Sequence, residues 1–191
     1  MITIDQLAAI MSCKQSKAGL WHSHIVKGMD IFDIHTPLRI AAYLAQIGHE
    51  SAGLTYVREI WNPQKCPWQL RYEGRVVLGN TQPGDGMKFL GRGLIQITGR
   101  ANNRACGLAL NLPLETNPAL LEEYANAAMS AAWFWATAGC NKYADVGDID
   151  GVSDVVNIGR KTTQVGDSNG YANRLAIYER AKSVLGVEVK K

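Results

Sequence analysis

The feature that most constrains this chain is the stretch from Thr36 to Gly53. Thr36 followed by Pro37 is a helix-start signal: a capping side chain, then proline in the first turn. Behind it, Leu38, Ala41, Ala42, Ala45 and His49 fall on one side of a helix, and Ile40, Leu44 and Ile47 on the adjoining side. A helix apolar over so wide an arc must be covered on several sides, which predicts a helix central to the core, ending near Ser51 to Gly53.

The rest of the chain reads as helices around that one. Thr3 caps a first helix with Ile4, Leu7, Ala8 and Met11 on one face. Residues 14–35 read as short elements or loop. Residues 60–92 carry Pro63, Pro67, Gly74, Gly79, Pro83, Gly84, Gly86 and Gly91, a loop-rich stretch of the length that usually serves function. Leu94, Ile95 and Ile97 suggest a short strand. Asn117-Pro118 opens a helix running through Ala125, Ala128, Ala132 and Trp135 to a stop at Gly139, with an alanine face that lets another helix approach closely. Val152 to Ile158 reads as a short helix, and Gly170 to Leu185 as the last strong one, closed by Gly186. No internal repeat or low-complexity linker interrupts residues 1–191, so a single domain, at most in two lobes and with no separate binding module, is expected.

Composition excludes several classes. With 47% apolar and 19% charged residues the chain is an ordinary globular sequence. No apolar run approaches the roughly 20 residues that span a bilayer, so stable membrane insertion is not expected. Met1 to Met11 carries Asp5 and no early positive cluster, unlike a secretory leader, which predicts accumulation in the cytoplasm of the producing cell. Cys13, Cys66, Cys106 and Cys140 have no C-x-x-C spacing and are expected to be reduced thiols. His22 and His24 have no neighbouring Cys or carboxylate, so neither metal nor cofactor is expected. The net charge of +3 suits an anionic polymer such as a bacterial wall. No dense Lys/Arg tract or aromatic-basic interleaving points to nucleic acid. The basic end, Lys182 to Lys191, reads as a solvated helix end and tail.

Two carboxylates frame the loop-rich stretch, Glu50 at the end of the central helix and Glu59 just beyond it. Glycosidic cleavage commonly uses one carboxyl to protonate the leaving oxygen and another to activate water. Glu50, at the negative end of an apolar helix, has the surroundings of a proton donor. Glu59 follows Arg58 in a more polar segment suited to a base. Glu73, in Tyr72-Glu73-Gly74-Arg75, is a rival for that second role.

The words around these residues resemble a known family. Ala45-Gln46-Ile47-Gly48-His49-Glu50-Ser51-Ala52-Gly53-Leu54 is similar to the acid-bearing helix end of glycoside hydrolase family 19, which holds chitinases and many bacteriophage endolysins. Tyr56-Val57-Arg58-Glu59 resembles its second-carboxylate segment, and Val156-Asn157-Ile158-Gly159 a later motif. The runs Gly79 to Gly86 and Phe89 to Asn103 resemble the endolysin branch. The resemblance covers about residues 36–185.

It implies a mainly α, lysozyme-like helical fold with a substrate cleft between two lobes and at most a small β element. It implies Glu50 as general acid, Glu59 as general base and Thr98 as the hydroxyl that helps hold the attacking water. Gln96, Asn102, Asn157 and Arg174 fall on positions that bind sugar or tie the carboxylates into a polar network, and Tyr72 and Glu73 lie beside them as substrate-binding candidates. Inversion is implied, with carboxyls roughly 6.5–9.5 Å apart, or more in an open form. Family chitinases place the base farther along the chain, after a longer insertion, so Glu59 rests on local words rather than spacing. The chitinase disulfides have no evident counterparts.

Other residues carry plainer readings. His49 is expected to be a hydrogen-bonded core histidine, and Trp133, Phe134 and Trp135 core rather than sugar platform. Trp61 and Trp68 suit stacking and packing about equally. Asp85, in Pro-Gly-Asp-Gly, reads as a turn residue and no more. The expected function is an endolysin cutting the β-1,4 link between N-acetylmuramic acid and N-acetylglucosamine in peptidoglycan strands. It would act as a monomer and reach the periplasm and wall from the host bacterial cytoplasm through a membrane pore made by a holin. The alternatives are a chitinase and, in another class, an inactive sugar-binding protein.

Overall fold

The structure, a computed structural model, describes residues 1–187; residues 188–191 of the basic tail lie outside the described residues. Nine α-helices carry the described chain: α1 (Ile4–Met11), α2 (Gln15–Ile31), α3 (Pro37–Glu50), α4 (Asp85–Lys88), α5 (Arg100–Leu110), α6 (Tyr124–Thr137), α7 (Asn141–Ala144), α8 (Ile149–Ile158) and α9 (Tyr171–Leu185). Short 3-10 turns fill Pro67–Tyr72, Val76–Leu78 and Pro118–Glu122. The only β pairings among the described residues are isolated bridges from Arg92 to Arg58 and to Ile97. The class is therefore mainly α, as the sequence predicts.

The start signals work as read. Thr3 and Gln6 form a reciprocal capping box, and Thr36 Oγ1 accepts the backbone N–H of Arg39 at 3.3 Å. Every residue from Ile40 to Gly48 in α3 is buried. Its main partner is α9, while α1 packs against α2, α9 and α3. The second large contact joins α2 to α6. There a Cβ on Gly28 would stand 3.1 Å from Ala132 Cβ, so the alanine face of α6 does admit a close neighbour. Burying each Leu or Ile of α3 contributes about 1.5–3 kcal/mol, enough for α3 to dominate the core.

Three local expectations fail. Residues 14–35 are mostly the long helix α2, which buries Ala18, Trp21, Ile25, Gly28 and Met29 on one face. Leu94, Ile95 and Ile97 form no strand: the chain turns at Gln96 (φ 56°), and Arg92 and Ile97 exchange backbone hydrogen bonds of 3.2 and 2.7 Å across the turn. The helix expected from Pro118 to Gly139 is two elements, because Glu123 is extended (φ −74°, ψ 139°) and separates the 3-10 turn from α6. All four cysteines are free, and burial pushes the Cys106 and Cys140 thiols up to about 12.

Candidate active site

Glu50 is the last residue of α3, and Ser51 fixes the exit: its hydroxyl donates to Ile47 O at 2.6 Å and accepts from Leu54 N at 2.9 Å. The half-buried Glu50 carboxyl is held by a residue 124 positions away. Arg174, in the first turn of α9 and 1% exposed, donates Nη2 to Glu50 Oε1, Nη1 to Gln46 Oε1 at 2.6 Å and Nε to Asn169 O at 3.1 Å. Gln46, one turn before Glu50 and fully buried, donates in turn to Ser153 Oγ of α8 at 3.2 Å. Asn157 Oδ1 accepts from Asn169 N at 2.8 Å, which ties the end of α8 to the segment carrying Arg174. A buried guanidinium is tolerable only when its fork of donors is met in this way. The structure thus brings Glu50, Arg174 and Asn157 into one network, and it sets the positive charge of Arg174 against a carboxyl at the negative end of a largely apolar helix.

His49 is hydrogen-bonded as expected, Nδ1 to Asn173 Oδ1 at 2.9 Å, but it is half-buried rather than core. Its ring lies over Gly170, where a Cβ would stand 2.1 Å from Cε1, so the start of α9 needs a glycine there.

Glu59 stands on irregular chain. After α3, Ala52, Gly53 and Leu54 all take positive φ, and a Cβ on Gly53 would meet Met11 O at 2.8 Å. The chain then pairs briefly with residues 91–93: Glu59 N donates to Gly91 O at 2.8 Å and Gly93 N to Val57 O at 2.9 Å. Three donors reach the Glu59 carboxylate, Gln69 Nε2 (2.9 Å) and the Tyr72 hydroxyl (3.4 Å) on Oε1, and Gly91 N (3.2 Å) on Oε2. Burial, and then the charge of Glu59, raise the Tyr72 phenol, so Tyr72 keeps its proton as donor.

Thr98 meets Glu59 at Gly91. A Cβ on Gly91 would lie 3.2 Å from Thr98 Oγ1 and 2.7 Å from Gln96 Oε1, while the Gly91 N–H is the one bonded to Glu59. The Thr98 hydroxyl donates to Gln96 O at 2.8 Å, which leaves its lone pairs free to accept. Gln96 Nε2 donates to Gly93 O, and the exposed Asn102 donates to Thr98 O, both at 2.8 Å.

Glu73 is placed differently. Its two oxygens accept from the backbone N–H groups of Gly84 (2.6 Å) and Gly86 (2.8 Å), so it locks the turn before α4. Asp85 is more than a turn residue: 1% exposed, it forms a forked pair with Arg100 (2.9 and 2.5 Å) that joins this turn to α5. Of the aromatic candidates, Trp135 is buried, Trp133 and Phe134 pack partly against the core, Trp61 is half-buried and Trp68 exposed.

Sequence reasoning missed two residues. Gln46 had a usable signal, a polar side chain one turn before Glu50 inside an apolar helix. Gln69 had none: it is 2% exposed in a 3-10 turn and donates to both Glu59 Oε1 and Ile60 O.

Comparison with known proteins places the chain in a family and a fold. Residues 32–151 match the family described as Glyco_hydro_19, chitinase class I. The chain is 30% identical to Chitinase 8 of Oryza sativa subsp. japonica over 166 residues, 77% of this chain and 60% of that one. It therefore spans less than two thirds of the rice protein. It is 27% identical over 168 residues to a glycosyl hydrolase family 19 domain-containing protein of Haemophilus influenzae, covering 72% of this chain and 76% of that one. Its fold matches chitinase C from Streptomyces griseus with a TM-score of 0.74 at 20% identity, over 97% of this chain and 92% of that chain. A bacterial family 19 chitinase matches with a TM-score of 0.68 at 25% identity, over 98% and 96% of the two chains. With the family match running through more than half its length, this chain belongs to glycoside hydrolase family 19.

Proposed function

We propose that this family 19 glycoside hydrolase cuts the β-1,4 bond between N-acetylmuramic acid and N-acetylglucosamine in peptidoglycan strands, by inverting acid/base catalysis. The observation that carries the catalytic part is the contrast in how the two carboxyls are held. Arg174 takes Glu50 by Oε1 alone, so a proton on Oε2 is free to pass to the leaving glycosidic oxygen. Glu59 receives donors on both oxygens, the setting of an accepting carboxylate. A water donating one hydrogen to Glu59 and the other to Thr98 Oγ1 would turn a lone pair toward the anomeric carbon. As the C–O bond breaks, Glu50 gives up its proton and Glu59 takes one from the water, so the two residues exchange protonation states over one turnover. Gln96, Asn102 and Asn157 supply amide groups for sugar hydroxyls and N-acetyl groups.

The wall substrate is supported by the likeness of residues 79–103 to endolysins and by the net charge of +3, which suits an anionic polymer. In this reading the enzyme works as a monomer and reaches the wall after a holin opens the host membrane. Chitin is the second reading, favoured by the chitinase names of the rice and Streptomyces relatives. The test is mass spectrometry of digests of peptidoglycan and of chitin oligomers by the purified protein. New reducing-end N-acetylmuramic acid is the expected product. Reducing-end N-acetylglucosamine from peptidoglycan would change the bond assigned, cleavage of chitin alone would select the second reading, and free peptide would overturn glycosidic cleavage.

A further inference from the structure

The loop between α8 and α9, residues 159–170, is held by more acceptors than it has protons to satisfy. Thr162 Oγ1 has Asp154 Oδ2 at 3.1 Å, Gln164 O at 3.2 Å and both oxygens of Asp167 at 3.1 and 3.0 Å. One hydroxyl carries one proton and can serve only one of these four. Asp154 is completely buried and turns its carboxylate to this loop, where Oδ2 also accepts Thr162 N at 2.9 Å, yet its Oδ1 has no hydrogen-bond partner among the described residues. Ser168, next to Asp167 in the chain, is 3% exposed and its hydroxyl is likewise without a partner. Burying a carboxylate oxygen unpaired is costly, so this arrangement calls for a further positive or donating group.

The nearby cation does not fill that role. Lys161 pairs with Asp148 (3.1 Å) and Asp150 (3.3 Å), and Asp150 Oδ1 accepts from Gly166 N. Asp154 and Asp167 form no ion pair among the described residues. Around a calcium-sized ion bound at 2.3–2.6 Å, neighbouring ligand oxygens stand about 3 Å apart, which matches the distances from Thr162 Oγ1 to the oxygens of Asp154, Gln164 and Asp167.

The geometry points to a divalent-cation site of the calcium class in this loop, with the Asp154 and Asp167 carboxylates, the Thr162 hydroxyl and the Gln164 carbonyl as ligands. Two carboxylates balance the charge of one such ion. The donor set is all oxygen, hard and flexible, which suits calcium over zinc. It is not a cluster of three or more acidic, His or Cys side chains, and no such metal-holding group occurs among the described residues. The ion would close the loop whose last residues, Asn169 and Gly170, seat Arg174 and His49, so it would stiffen the mounting of Glu50 from behind without touching substrate.

Tyr171 provides an optical readout. A Cβ on Gly166 would lie 3.1 Å from its ring, and its phenol is raised by burial and then by the charges of Asp150, Asp148 and Asp154. In chelator-treated full-length protein, Tb³⁺ emission excited through tyrosine should rise saturably to one ion per chain and be displaced by Ca²⁺. With two carboxylate ligands the Ca²⁺ dissociation constant should be on the order of 10⁻⁴–10⁻³ M. Calcium at ten times that value should raise the melting temperature by a few degrees. Asp167→Asn, at an exposed position that leaves the core untouched, should weaken Ca²⁺ at least tenfold, while Asp5→Asn should not. Tyr171→Phe should dim the Tb³⁺ signal without changing the Ca²⁺-dependent melting shift. Absence of saturable binding, or binding unchanged in Asp167→Asn, would overturn the site whatever the enzyme's substrate proves to be.

Discussion

The two carboxyls stand on opposite kinds of structure. Glu50 closes a helix buried along nine consecutive residues, and its polar partner arrives from α9 as a single buried guanidinium. Glu59 stands on turns, and its partners come from a 3-10 turn and from Gly91, each reaching it across a loop. A proton donor has to meet one oxygen of the substrate at a fixed place, and a core helix fixes place well. A base has to hold a water that changes on every turnover, and a web of donors on loops holds a carboxylate while leaving room beside it. The difference teaches that the position of Glu50 depends on hydrophobic packing and that of Glu59 on hydrogen bonds, which suits the acid and base roles proposed for them.

The largest effect should come from the helix side. Glu50→Gln keeps the shape and can still accept from Arg174, but it removes the transferable proton. It should lower kcat by roughly 10²–10⁴-fold with an unchanged circular dichroism spectrum. A folded Glu50→Gln enzyme with near-normal turnover would end the assignment.

The loop side comes next. Glu59→Ala should lose roughly 10²–10³-fold in kcat, and azide, which needs no deprotonation, should restore part of it by attacking in place of water. Azide should not restore Glu50→Gln on a substrate with a poor leaving group. Glu73→Ala should leave kcat within a few-fold while lowering stability by about 1–3 kcal/mol, since its oxygens serve the backbone of Gly84 and Gly86. Rescue of Glu73→Ala, with Glu59→Ala nearly fully active, would move the base.

Sequence reading fared unevenly across the same divide. Helices α1 and α3, with side-chain caps and apolar faces, were legible within a residue or two, and so was α9, which has no side-chain cap but is bounded by Gly170 and Gly186. The helix α2 was not: its buried positions 18, 21, 25 and 28 do keep helical spacing, but Lys14 gives no side-chain cap and two glycines and two histidines dilute the pattern. The helix α5 was also missed, for it starts after an uncapped Gly99 and contains Asn102, Asn103 and Gly107, all poor helix formers. At 94–97 three apolar residues imitate a strand but are buried by a turn with Gln96 in the left-handed region. In the site, Arg174 was placed by family likeness, whereas Gln69 is joined to Glu59 by a fold of loop that no local pattern encodes.

Acid should separate the two regions. Arg100 holds the Asp85 carboxyl below the usual carboxylate range against the opposing effect of its burial. A lowered folded value means that the pair's contribution is complete above the unfolded value of about 3.9 and disappears as pH falls through the lower folded value. Asp85→Asn should therefore cost about 2 kcal/mol at neutral pH, less than a fully buried pair because Arg100 is 20% exposed. That cost should shrink below about pH 4. Urea unfolding at several pH values checks it, and a cost that stays constant down to pH 2 would mean that packing, not charge, is lost.

The smallest and most specific effect concerns Thr98. Its hydroxyl proton is committed to Gln96 O at 2.8 Å, so whatever it does for a water it does as an acceptor. Thr98→Ser keeps that geometry apart from one methyl group and should retain activity within a few-fold. Thr98→Val keeps the volume and removes the acceptor, and it also leaves Gln96 O without its donor. The water would then be aimed by Glu59 alone. One lost orienting hydrogen bond, at about 1–1.5 kcal/mol, corresponds to roughly a tenfold fall in kcat. Because sugar contacts are untouched, KM should change little, and this separates water positioning from substrate binding. Equal kcat in the valine and serine variants would reduce Thr98 to packing against Gly91 and leave the loop-borne wall of the site with Glu59 as its only reactive group.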